Sequence, residues 1–189
     1  MTAAVLTSSA SRAEPTVPVC VGRILSVAGL SFGGANLFQW AVLTGAVTVP
    51  PAALALSWPV AVGVFLTTLF RIRKGSGEAG RIAAGWSRAG VLVSLAAVLA
   101  LVAASATQNN WALMQAAGGV SLTVYGVAWM IAAVRTGRPM MGVVSLTAFA
   151  GVGAVFLNLG APEQYLAAAV TLMLVALLPG IALACGDRI

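Results

Sequence analysis

The residues of this chain that could do chemistry are few, and those inside its apolar segments carry no charge. Asn36, Gln39, Gln115, Tyr125 and Asn158 supply four amides and one phenol in otherwise apolar surroundings. A polar group in such surroundings must find a hydrogen-bond partner, because leaving it unsatisfied costs free energy. Two interpretations stay open: these side chains line a polar path for a neutral solute, or they bond one helix to another.

Chemistry that depends on a titrating group inside these segments is excluded. The chain contains no histidine, and all of its acids fall in predicted tails or loops: Glu14, Glu78, Glu163 and Asp187. Proton relays in membranes usually rest on buried carboxylates or histidines. The sequence therefore predicts no catalytic residue, no metal ligand and no cofactor, and an enzyme is not expected.

The elements that position these residues follow from composition. Of 189 residues, 60% are apolar and only 7% are charged, which excludes a soluble domain. A helix needs about 20 mostly apolar residues to cross the hydrocarbon of a bilayer. The sequence predicts an all-α integral membrane protein with short loops, in which a flexible cytoplasmic tail (1–19) precedes a single six-helix domain (20–189). The predicted spans cover about residues 24–46, 52–70, 86–105, 111–134, 139–160 and 163–184.

Charge placement predicts the orientation of the bundle. All ten lysines and arginines fall on one side, which we call the basic side, where three acids reduce a charge of +10 to +7; the opposite side carries only Glu163. Because short cytoplasmic loops are enriched in Lys and Arg, we expect both termini in the cytoplasm and the protein in a bacterial inner (plasma) membrane. This orientation explains the basic isoelectric point without nucleic-acid binding.

Small residues recur along the first span at the spacing of one helix face. Gly22, Ser26, Gly29 and Gly33 are separated by four, three and four residues, and small residues let helices approach closely in lipid. We expect this face to pack against another helix. Near the basic end of the sixth span, Pro179-Gly180 predicts a bend or an end of the helix.

Basic residues cluster between the second and third spans, where a cytoplasmic loop is expected: Arg71, Arg73, Lys74, Arg81 and Arg88. Such a cluster can recruit anionic lipid headgroups or dock a cytoplasmic partner. The orientation rule alone also accounts for it.

Two functions fit these observations. The first is a small facilitator or channel for a neutral solute, forming an oligomer, with the five polar residues near its path. The second is a non-catalytic accessory or assembly subunit of a larger membrane complex, bound through the small-residue face of span one. A facilitator should contain a polar-lined cavity, whereas an accessory subunit should be solidly packed with that face exposed.

Overall fold

The computed structural model describes residues 15–186, apart from the side chain of Pro51, and they form an all-helical bundle. Six helical segments are long and apolar enough to span a membrane, so the six-span prediction is confirmed. The helices are α1 (Val17–Leu43), α2 (Pro51–Gly75), α3 (Gly77–Thr107), α4 (Ala117–Thr136), α5 (Pro139–Leu157), α6 (Glu163–Leu172) and α7 (Leu178–Ala184). A 3-10 turn (Trp111–Ala116) leads into α4, and a π-helical turn (Met173–Leu177) joins α6 to α7 within the sixth span.

Helix boundaries follow local signals that hydropathy alone does not reveal. Pro18 lies in the first turn of α1 and Pro139 in that of α5, where the missing N–H costs no helical hydrogen bond. The end of α4 is marked by Gly137, which has a left-handed φ of 68° and donates its N–H to the Ala133 carbonyl.

Three helices continue well beyond the predicted spans. α1 begins at Val17 rather than near residue 24, so the end of the predicted tail (1–19) is helical, while residues 1–14 lie outside the described part. α2 continues to Gly75 and α3 begins at Gly77, so the predicted basic loop is two helix ends joined at Ser76. Lys and Arg end the apolar run from which a span is predicted. Because they are good helix formers, the helices continue past that point into the polar region.

The first helix is the hub of the bundle. It packs against α2, α3 and all three parts of the sixth span, while α4 pairs with α5, and α5 packs on α6. On the basic side, Cys20 and Ile24 of α1 join a core cluster with Phe65, Leu69 and Ala83. α1 therefore connects the two halves of the chain.

The third and sixth spans differ most in burial. In the most apolar 18-residue window of each span, 44% of the residues are buried in the sixth span but only 6% in the third. Between Gly85 and Ala104, no residue of α3 is buried within the described chain. The sixth span is therefore a core helix, and α3 lies at the periphery.

Candidate solute-binding cleft

On the basic side, α1 and the sixth span meet almost backbone to backbone. A Cβ added at Gly180 would lie 2.5 Å from the backbone nitrogen of Ser26 and 3.0 Å from the carbonyl oxygen of Gly22. A Cβ at Gly22 would overlap the backbone of Ala184, and one at Gly29 would lie 2.7 Å from the backbone nitrogen of Leu177. Any side chain larger than hydrogen is therefore excluded from these positions.

The two helices separate toward the opposite side. A Cβ at Gly33 would lie 3.6 Å from the carbonyl oxygen of Ala169, which is ordinary contact. The whole predicted face of span one, Gly22, Ser26, Gly29 and Gly33, is therefore directed at the sixth span of the same chain. This placement corrects the expectation that an accessory subunit would expose this face to a partner protein.

A π-helical turn and a proline shape the middle of the sixth span. The N–H of Leu178 donates to the carbonyl of Met173, five residues earlier. Pro179 has no N–H, so it cannot provide the donor that an α-helix would give the Val175 carbonyl. Tyr125 of α4 donates its hydroxyl to that carbonyl, at 3.1 Å. The phenol therefore satisfies a backbone group that the proline leaves without its helical partner.

Beyond the point where α1 and α6 separate, a cleft opens on the side opposite the bases. One cavity of about 230 Å³ lies between α1, α2, the 3-10 turn, α4, α5 and α6. A second cavity of about 240 Å³ shares Gln115, Gln164 and Tyr165 with the first, so the two adjoin. The first cavity is lined by Asn36, Trp58, Met114, Gln115, Ala117, Gly118, Val155, Gln164, Tyr165 and Ala168.

Neutral polar groups from three spans converge on this cleft. Asn36 is 5% exposed and donates its Nδ2 to the Phe32 carbonyl at 2.8 Å; its Oδ1 accepts no hydrogen bond from the described residues. Gln164 is 6% exposed, and its Oε1 accepts the N–H of Gly160 at 3.3 Å, which leaves its Nε2 as a donor. Gln115 and Tyr165 add an amide and a phenol. The lining thus offers both donors and acceptors, without a charge.

The floor of the cleft is apolar and tightly packed. Val155 and Ala168 line the first cavity and are 2% and 4% exposed. Together with Leu122 they form a core cluster that Val152 and Leu172 pack against. We call Leu122, Val155 and Ala168 the plug; two of its three members line the first cavity.

The structure divides the five predicted polar residues into two groups. Asn36 and Gln115 line the cleft, as the path interpretation expects. The other three bond within the bundle: Gln39 Nε2 donates to Ser57 Oγ at 3.1 Å, Tyr125 bonds Val175, and Asn158 Nδ2 donates to the Ala154 carbonyl at 2.8 Å. None of these three lines the cleft: Gln39 and Tyr125 bond one helix to another, whereas Asn158 bonds a carbonyl of its own helix.

Sequence reasoning missed Gln164 and Tyr165, which lie in the first turn of α6. Both lie inside the predicted sixth span (163–184), but at its N-terminal end and directly after Glu163, so neither is among the polar residues predicted for the path. The sequence carries no further signal for them, because which polar side chains of a helix line a cavity depends on the positions of the neighbouring helices.

The basic residues form a compact corner away from the cleft. A Cβ at Gly80 would lie 2.5 Å from the Ile72 carbonyl, so α2 and α3 touch directly beside Ser76. The five bases predicted for a loop, Arg71, Arg73, Lys74, Arg81 and Arg88, are all exposed on these helix ends.

Neither the cysteines nor the acids form a site in the described residues. Cys20 is fully buried and Cys185 is exposed, and both are free thiols. The described part of the chain contains no group of three or more Cys, Asp or Glu side chains that could hold a metal ion. Comparison with protein-family models, curated proteins and solved structures finds no match to this chain.

Proposed function

We propose that this multispanning membrane protein takes up a small neutral, hydrogen-bonding solute through the cleft and facilitates its passage across the bilayer. The observation that carries the proposal is the convergence of Asn36, Gln115, Gln164 and Tyr165 on an open cavity with no charged side chain in its lining. The basic side would face the cytoplasm of a bacterial cell, so the cleft would open outward.

The chemistry of the lining selects the class of solute. An ion entering this cleft would lose hydration without meeting an opposite charge, which is strongly unfavourable. A solute with both a donor and an acceptor would instead pair with amide groups from α1, the 3-10 turn and α6. A cavity of about 230 Å³ holds a solute of several non-hydrogen atoms, since one liquid water occupies about 30 Å³. Small amides, urea and polyols fit this description.

On this proposal, the plug would hold the structure in a closed state. Val155 and Ala168 line the first cavity and pack in one cluster with Leu122, and we infer that passage would require these side chains to separate. Because they belong to α4, α5 and α6, a small displacement of the α4–α5 pair from the sixth span would open the floor. The backbone contacts of α1 with α7 hold the rest of the sixth span in place.

An accessory subunit of a larger complex is the second proposal, and one observation favours it. The predicted docking face on α1 is covered by the sixth span, but α3 buries no residue between Gly85 and Ala104 in the described chain. A partner helix or a second copy of this chain would therefore dock on α3. Lipid covers the same surface if the protein functions alone.

Solute flux into proteoliposomes tests the first proposal. We expect the protein to accelerate entry of formamide, acetamide, urea or glycerol, measured by light scattering after rapid mixing, and to leave acetate and ammonium unaffected. Gln164→Leu should reduce the protein-dependent rate at least about fivefold, because losing one hydrogen bond to a buried group costs on the order of 1 kcal/mol. Gln108→Leu is the matched control, since Gln108 is exposed on the same side but does not line the cleft.

Two results would overturn the facilitator proposal. One is flux of all four neutral solutes no faster than through protein-free liposomes. The other is an equal effect of the two glutamine substitutions. Purification in mild detergent then decides the second proposal, because a stoichiometric partner protein would support an accessory subunit.

A further inference from the structure

The junction of α2 and α3, which we call the basic corner, holds the basic helix ends in a fixed arrangement. The enrichment of Lys and Arg in cytoplasmic loops does not by itself require such an arrangement. Ser76 is buried at the junction, and Gly80 lets α3 touch the Ile72 carbonyl, so the first turns of α3 are held against α2. The side chains on the outward face of these turns therefore have fixed relative positions.

The length of α3 places these turns at the level of lipid headgroups. From Arg88 to Thr107 the helix rises about 28 Å, at about 1.5 Å per residue, which nearly equals the hydrocarbon thickness of about 30 Å. Arg88 therefore lies at the edge of the hydrocarbon. Arg81, seven residues earlier, lies about 10 Å farther out, so lipid phosphates lie between the two levels.

Arg81 and Arg88 lie on the same outward face of α3, and an open notch separates them. Seven residues are nearly two helical turns, so both side chains leave the helix in almost the same direction. Gly85 lies between them, and a Cβ added there would meet nothing within 4 Å. Two guanidinium groups flanking an open notch suit a phosphate, which arginine binds through paired N–H groups.

Apolar side chains border the notch on the adjacent ridge of the helix. Ile82 is 43% exposed and Trp86 is 66% exposed, and their spacing of four residues stacks them side by side. Tryptophan is favoured at this depth because its ring contacts acyl chains while its N–H reaches polar groups. This apolar border distinguishes a lipid from a free phosphate ion.

The charge of the corner favours an anionic headgroup. Arg71, Arg73 and Lys74 stand on the adjacent end of α2, and among the described residues of these two helix ends Glu78 is the only acid, so the two ends carry five positive charges and one negative charge. Among the described residues none of the five bases forms an ion pair or a side-chain hydrogen bond. Their charges are therefore available to a ligand.

We propose that Arg81 and Arg88 bind the phosphate of an anionic phospholipid over the Gly85 notch, with the Ile82–Trp86 ridge against its acyl chains. This site is separate from the cleft and does not depend on a solute-transport function. It would fix the depth of α3, the least buried span, in the membrane.

Lipid titration of the full-length protein tests the proposal. Native mass spectrometry in detergent would count bound phosphatidylglycerol, with phosphatidylcholine as the neutral reference. We expect Arg81→Gln/Arg88→Gln to weaken phosphatidylglycerol binding about tenfold more than Arg71→Gln/Arg73→Gln, which removes the same charge from the same corner. Equal losses in the two double variants would mean that only the long-range field attracts lipid, and would overturn the site.

A second pair of variants tests the notch without changing any charge. Gly85→Leu should weaken phosphatidylglycerol binding severalfold, whereas Gly63→Leu, at an equally open position on α2, should leave it unchanged. Both substitutions place a better helix former in a helix, so folding is preserved. No effect of Gly85→Leu, or displacement of the lipid by excess inorganic phosphate, would contradict a lipid site.

Discussion

The first and sixth spans contact each other in opposite ways at their two ends. On the basic side, Gly22 and Gly180 bring the two backbones together, with only the small Ser26 side chain beside the contact. On the opposite side, Asn36 and Gln164 face a cavity of about 230 Å³. Both ends use one face of the same two helices, so the size and polarity of the residue in each turn decide whether the helices touch or leave room for a solute.

The difference separates stability from function. At the glycine contact, close packing of the two backbones holds the helices together, while the Ser26 hydroxyl donates to the Gly22 carbonyl of its own helix at 2.9 Å. At the cleft, amide groups remain that are not fully used by the protein itself. Substitutions at the glycine contact should therefore lower the free energy of unfolding, whereas substitutions at the cleft should change solute flux.

The largest effect is expected at the glycine contact. Gly22→Leu would force a side chain into the backbone of Ala184, and we expect a loss of about 3 kcal/mol or more in the free energy of unfolding, at the upper end of overpacking costs. Gly34→Leu on the same helix is the control, because a Cβ there meets nothing within 4 Å. Thermal unfolding in detergent would measure both, and equal stability of the two variants would contradict the close crossing.

An intermediate loss of unfolding free energy is expected at the middle of the sixth span, between the glycine contact and the cleft. Tyr125→Phe would leave the Val175 carbonyl without its donor, and we expect a cost of about 1–2 kcal/mol. Pro179→Ala supplies an N–H to the helix, so the cost of Tyr125→Phe should shrink in that background. The same cost in both backgrounds would show that the phenol does not compensate for the proline.

A smaller effect is expected for the amide that bonds α1 to α2. Gln39 donates to Ser57 at 3.1 Å, and hydrogen bonds between membrane helices average about 0.6 kcal/mol in double-mutant cycles. A cycle with Gln39→Leu and Ser57→Ala should give a coupling of that size and leave solute flux unchanged. A large loss of flux with Gln39→Leu would instead make Gln39 part of the path.

Much of the fold can be predicted from the sequence, because long apolar segments identify the parts of the chain that lie in the hydrocarbon of a bilayer. Six apolar segments predict six spans, and Pro139 marks the start of the fifth. The continuation of α2 and α3 into the basic corner is not visible in hydropathy, because Arg and Lys leave the hydrocarbon without ending a helix. Pro179-Gly180 predicts an irregularity in the sixth span, but not that it takes the form of a π-helical turn at Met173–Leu177 after which the helix continues.

The cleft is harder to predict than the fold, for a physical reason. An amide in an apolar segment satisfies its polar groups either with the protein or with a ligand, and the sequence is the same in both cases. Asn36 and Gln39 are three residues apart in α1, yet one lines the cavity and the other bonds Ser57. Only the positions of the neighbouring helices decide between the two outcomes.

Solute protection of a cysteine in the cleft tests the central claim most directly. Gly118 lines the cavity, and a Cβ there meets no atom within 4 Å, so Gly118→Cys should react with a membrane-impermeant maleimide in a Cys185→Ser background. Thr107→Cys, exposed on the same side but outside the cavity lining, is the control. We predict that acetamide or urea slows labelling at residue 118 and not at residue 107. Equal labelling rates at residue 118 with and without every neutral solute tested would contradict a solute-binding cleft.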